Sequence, residues 1–204
     1  MIERKFVRDR MKEHQVEEFI SQTLKNVGHS HTKIMRTPLG DKVVIYASRP
    51  GLVVGRKGEN IKKLTNTLKK KFNLENPQIE IAEVENPNLD AQIVAERIAS
   101  TMERFGVNKF KAIGHKTMSD VISAGALGIE ILISGKVPSQ RAKTWRFYAG
   151  YLKKCGYISD SEVLRAKAVC ILKTGEIGIQ VAIMPSTVKR PDDIEVVQKV
   201  EEVK

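Results

Sequence analysis

The chain has 204 residues, 41% of them apolar, which is enough to bury a core and too apolar for wholesale disorder. No uncharged apolar run approaches the roughly 18 residues of a membrane span, and the charged opening MIERKFVRDRMKEH lacks the apolar stretch of a signal peptide. Thirty-five Lys and Arg against 24 Asp and Glu give a net charge of +11, which points to a polyanionic partner because neutralising phosphates releases counterions.

Residues 1–14 read as a charged N-terminal arm. Residues 15–27 place Val16, Phe19, Ile20, Leu24 and Val27 on one helical stripe, with Gly28 as the stop. HTKIMRT and KVVIYAS read as strands joined by a turn at Pro38 and Gly40. LVVGRKG leads into a helix whose Ile61, Leu64, Leu68 and Phe72 recur at three and four residues. Asn76-Pro77 breaks that helix, and QIEIAEV alternates as a strand. ENPN at 85–88 is the predicted domain joint. Beyond it, 89–105 reads as a helix with Asn88 as N-cap and Gly106 as stop. Asn108 is expected to cap a second helix, which Gly114 weakens. GIEILISGK, 128–136, is a strand, and 137–160 resists assignment.

LRAKAVCILK and EIGIQVAIM flank Thr174-Gly175, predicted as a two-residue turn that pairs Lys173 with Glu176. Ala166, Ala168, Cys170 and Leu172 then share an apolar face with Ile177, Ile179, Val181 and Ile183. The other face carries Arg165, Lys167 and Lys173, diluted by Val169 and Ile171. Residues 189–204 read as an acidic, disordered tail. Cys155 and Cys170 stand alone, so no CxxC-type zinc site can be built, and both read as reduced residues in a cytosolic protein.

Three GxxG stretches occur, at 55–58, 125–128 and 175–178, so the motif alone says little. Only Gly55-Arg56-Lys57-Gly58 joins helical segments with cations between the glycines. Glycines let a backbone approach a phosphodiester closely, and unpaired amides at the next helix start can donate to phosphate oxygens. Arg56 and Lys57 add direct contacts, and Lys62 and Lys63 extend the field one turn further. The bland alternative is a helix stop followed by a new helix with solvated lysines.

The order helix, hairpin, short helix, GxxG, helix, strand over 15–85 resembles a type II KH domain. In KH domains this loop clamps the backbone of about four nucleotides beside a shallow apolar groove. GIEILISGK, then RAKTWRFYAGYLKKCGY, then GEIGIQVAIM resemble the C-terminal domain of the small-subunit ribosomal protein three family in its archaeal and eukaryotic form. The likeness covers about residues 1–188. It implies an α+β protein: a KH domain with a three-stranded sheet, then a domain at 86–188 with helices on one face of an antiparallel sheet.

The resemblance further implies a cytoplasmic place in the head of the small ribosomal subunit. The implied partners are small-subunit rRNA, neighbouring head proteins, and mRNA in the channel through which it enters. Bacterial relatives carry a dense basic cluster before the GIEILISGK-like strand; here it thins to Lys109, Lys111, His115 and Lys116, of which Lys111 and Lys116 are the candidates for mRNA contact. Arg141, Lys143 and Arg146 crowd into six residues with no acidic neighbour until Asp160. With Arg165 and Lys167 they form a candidate second rRNA contact, because clustered guanidinium and ammonium groups suit phosphate. Trp145 and Phe147 read as core residues. No catalytic or metal-binding motif is legible, and no cofactor, small-molecule substrate or membrane is expected. Two alternatives are a lysine-based abasic-site lyase and a free KH regulator of mRNA. A single KH unit and 5% aromatic residues argue against the regulator.

Overall fold

The first helix outruns its apolar stripe. The computed structural model describes residues 2–24, 27–38, 40–72, 74, 76–188, 190 and 194. Helix α1 (Ile2–Thr23) buries only Val16 and Ile20. The segment read as a charged arm is helical from Ile2 on, with Ile2, Phe6, Val7 and Met11 exposed. Those turns show no buried period because they extend a helix whose packing lies further along; adding residues to an existing helix is easier than nucleating one. The helix stops at Thr23 rather than at 27, so Gly28 is not its cap.

Strands β1 (His29–Thr37) and β2 (Gly40–Ala47) pair antiparallel, and β3 (Gln78–Glu83) joins parallel to β2. A parallel neighbour demands a crossover. Here it is α2 (Pro50–Val54), a 3-10 turn (Arg56–Gly58) and α3 (Glu59–Phe72). Leu64 and Leu68 of α3 meet Val16, Ile20, Val43, Ile45 and Val53 in the first core. This is the type II KH arrangement, α+β with a three-stranded sheet ordered β1-β2-β3.

Helix α4 (Ala91–Phe105) begins at Asp90, not Asn88. The Asp90 carboxylate accepts from the N–H groups of Gln92 at 2.8 Å and Ile93 at 3.4 Å. Asn88 instead accepts from Arg97 at 2.7 Å. Asp90 also accepts the Ser30 hydroxyl of β1, so one carboxylate caps a helix and links the domains. Beside this link His29 is 2% exposed, its Nε2 lies 2.8 Å from Thr32 Oγ1, and its Nδ1 has no partner among the described residues. His31 stacks on Tyr46 at 4.3 Å. Burial holds both imidazoles below their ordinary range.

Gly106 ends α4 as expected, and a 3-10 turn (Val107–Lys109) leads into α5 (Phe110–Ser123). Asn108 therefore lies inside the turn, and α5 starts without a side-chain cap. Strands β4 (Ala126–Gly135), β5 (Lys143–Gly150), β6 (Leu164–Leu172) and β7 (Gly175–Pro185) form an antiparallel sheet ordered β5-β4-β7-β6, with the short α6 (Tyr157–Ser161) before β6. One face packs on α4 and α5 through Ile129, Ile131, Ile133, Ile177, Ile179, Val181 and Ile183. Among the described residues the opposite face carries only a small cluster around Leu152, Val163, Met184 and Val188.

The hairpin faces match the alternation but the register does not. Leu172 pairs with Gly175 and Ile171 with Glu176, so Lys173 and Thr174 make the turn. The slip is two residues, and a strand repeats every two, so the same side chains stay inside. Cys170 is fully buried, and burial pushes its thiol up to about 11. Edge strand β6 packs on α4 through Ala166 and Cys170, and its Ile171 N–H also donates to Glu103 of α4 at 3.1 Å. The expected disordered tail lies outside the described residues, except for Arg190 and Ile194.

Candidate nucleic-acid interface

The loop at 55–58 is shaped by its neighbours. Val53 is fully buried and anchors α2, so the chain must turn sharply before α3. Gly55 adopts φ +70°, and a Cβ there would lie 2.5 Å from the Asn60 amide nitrogen. Only glycine fits that position. Lys57 sits in the left-handed region at φ 54°, ψ 24°, a conformation that costs a lysine about 1 kcal/mol or more. Gly58, at φ +72°, has nothing within 4 Å of where a Cβ would stand. Its requirement is conformational, and the space above its backbone is open to a ligand.

Arg56 and Lys57 are exposed, and neither makes a hydrogen bond or ion pair among the described residues. Lys62 is likewise exposed and unpaired among them. Lys63 differs, because its ammonium lies 2.5 Å from Glu59 one turn earlier. That hydrogen bond holds the Glu59 carboxyl below its usual range. Both side chains are mostly exposed, so a nearby polyanion competes with a weak pair.

The second-domain cations divide into three places. Arg146, Arg165 and Lys167 lie on the open face of the sheet. Arg146 is not without an acidic partner: it and Lys154 (3.0 Å) converge on Glu130 of the adjacent strand. Burial alone would raise the Glu130 carboxyl, but the two cationic donors outweigh it and hold it low. Sequence reading missed this trio because the Glu130–Arg146 contact depends on the register of β4 with β5, where Leu132 faces Arg146. Arg146 also lies over the Tyr148 ring, 4.9 Å from its centroid. The Arg165 guanidinium donates to Ser159 at 2.5 Å, and Lys167 is exposed opposite Gln180.

Arg141 and Lys143 are exposed at the entrance to β5, away from that pairing. Lys111 and Lys116 belong to the helical layer on the other side of the sheet. Lys111 lies over Trp145, 5.2 Å from the ring centroid, and Lys116 is exposed. Trp145 packs tilted on Phe110 and donates its indole N–H to the Val137 carbonyl at 2.9 Å. Phe147 is buried, so both aromatics serve the core.

The sequence matches the family described as KH domain over residues 15–89. It matches the family described as ribosomal protein S3, C-terminal domain, over 98–183. Small ribosomal subunit protein uS3 of Methanocaldococcus jannaschii is 44% identical over 194 residues, 95% of this chain and 92% of that protein. The uS3 of Natronomonas pharaonis is 40% identical over 98% of this chain and 65% of its own length. That of Methanoculleus marisnigri is 40% identical over 97% of this chain and 83% of its own.

Proposed function

Since the chain belongs to the family of small ribosomal subunit protein uS3, we propose that it binds small-subunit rRNA in the subunit head and helps line the channel through which mRNA enters. The observation that carries this reading is the loop Gly55–Gly58. Two cations without a partner among the described residues stand between its glycines, and the space over Gly58 is open at the start of a helix.

Gly55, Arg56, Lys57 and Gly58 would grip a sugar-phosphate backbone, with Lys62 and, once freed from Glu59, Lys63 extending the contact. Arg165 and Lys167 on β6 would form a second rRNA contact, and Arg141 and Lys143, at the start of β5 on the opposite edge of the sheet, a separate one. Arg146 contributes less net charge there because Glu130 already engages it. Lys111 and Lys116 would face mRNA. Head proteins of the subunit are the implied protein neighbours, and the cytoplasmic ribosome the place of work. The family is one of ribosomal proteins, not of enzymes.

The test is Arg56→Asp with Lys57→Asp in the full chain, titrated with RNA over a range of salt. Folding should be kept, since both side chains are exposed. Affinity should fall, and the log–log salt slope should become shallower by about 0.7–0.9 for each phosphate no longer neutralised. Unchanged affinity and slope would rule the loop out as an RNA contact.

A further inference from the structure

A cleft of about 1020 Å³ opens at one end of the second domain, beside the chain segment that carries Arg141. Its walls are the last turn of α4 with the turn after it, the β4–β5 connection and the β6–β7 turn. Volumes of roughly 300–1,000 Å³ accommodate small organic ligands. Three properties of the walls define which ligand fits.

The first is Phe105. It ends α4 at the cleft and is 54% exposed, although a large aromatic is normally covered. Lys109 sits 5.3 Å from its ring centroid, which makes the ring a cation-backed platform. The second is charge. Arg104, Lys136 and Lys173 line the cleft, and none has an ion pair or side-chain hydrogen bond among the described residues. Its acidic residue, Glu103, already accepts the Ile171 N–H at 3.1 Å. The third is hydrogen bonding. Asn108 and Gln140 line the space, and each carboxamide offers a donor and an acceptor, neither engaged by another described residue.

We propose that this cleft binds an unpaired nucleotide of an RNA strand. The base would stack on Phe105, the flanking phosphates would meet Arg104, Lys136 and Lys173, and the amides of Asn108 and Gln140 would reach the base edge. An aromatic platform ringed by cations and amides is the chemistry of single-stranded RNA recognition. A peptide of matching charge would use the cations but leaves the amides and the ring without specific work. This inference rests on the chain being an RNA-binding protein, but not on the Gly55–Gly58 loop.

The experiment uses four full-length proteins: wild type, Phe105→Ala, Arg56→Asp with Lys57→Asp, and the combination. Each is titrated with a short single-stranded RNA carrying 2-aminopurine, whose emission is quenched on stacking, and with the same sequence as a duplex. Phe105→Ala should weaken single-strand binding roughly tenfold in both loop backgrounds and abolish the quenching. Duplex binding should be unaffected by it. A 4-thiouridine strand should photocrosslink to the peptide spanning residues 104–108. Because the Phe105 side chain is half in solvent, the variant should melt with the wild type.

Equal affinity and quenching in Phe105→Ala, crosslinks confined to other peptides, or no single-strand binding by the wild type would each overturn the proposal. The first two of these outcomes would leave a protein segment as the occupant to seek. A loop variant that binds normally while Phe105→Ala is impaired would sink the loop reading and leave the cleft standing.

Discussion

His29 and Gly114 each hold a place that ordinary substitution rules misjudge. His29 is buried at the domain joint, and burial favours its neutral form. Its folded pKa lies below the unfolded value of about 6.5, so the unfolded chain binds more protons as pH falls through that value. Stability is therefore present at neutral pH and lost on acidification. His31, also depressed by burial, acts in the same direction. His29→Gln should flatten the fall in melting temperature between about pH 7 and 5.5, leaving the part due to His31; an unaltered pH profile would exonerate His29. Gly114 sits inside α5, where replacing Gly by Ala normally stabilises by about 1 kcal/mol. Here the new Cβ would stand 2.9 Å from the Phe147 ring, which is itself buried and cannot swing away. Overpacking of this kind costs about 1–3 kcal/mol, so Gly114→Ala should lower stability in urea, and a gain would show that the ring yields.

At the scale of elements, the start of α4 offers a direct comparison. Asp90 caps the helix and holds Ser30, whereas Asn88 serves only Arg97. Asp90→Ala should cost about 1–2 kcal/mol in chemical denaturation, and Asn88→Ala clearly less; the reverse ranking would return the cap to Asn88. The sequence favoured Asn88 because N-cap preference hardly distinguishes Asn from Asp, and the contact with Ser30 spans 60 residues of chain. Helix α3 was legible because Leu64 and Leu68 fall on one buried stripe. The first turns of α1 were not, since Ile2, Phe6, Val7 and Met11 stay largely exposed. The faces of β6 and β7 were legible from alternation, yet their register slipped by two because either choice of turn keeps Cys170 inside. Strand β5 escaped notice because Tyr148 breaks the alternation of Trp145, Phe147 and Ala149 with polar residues, and the strand's partner precedes it across a loop. The candidate loop was readable from Gly55, Arg56, Lys57 and Gly58. What could not be read was that Glu59 holds Lys63 and that Glu130 holds Arg146, since both depend on where side chains meet in space.

For the molecule as a whole, cations appear on both domains, and Asp90 with Ser30 ties the domains together. The proposed contacts on one linked body would reinforce each other, because engaging the first raises the local concentration of the second. Under the proposed function the same body must exist as a free chain before RNA arrives, and β6 is an outermost strand of its sheet. An unshielded outer strand recruits strands from other molecules. Glu103 occupies one of its outward amides, and Arg165, Lys167 and Lys173 set like charges against any second copy drawing near. This corner of the fold would thus guard a free chain against self-association. Glu103→Val should scatter light sooner than the wild type when concentrated without RNA, and equal scattering would relieve Glu103 of that duty.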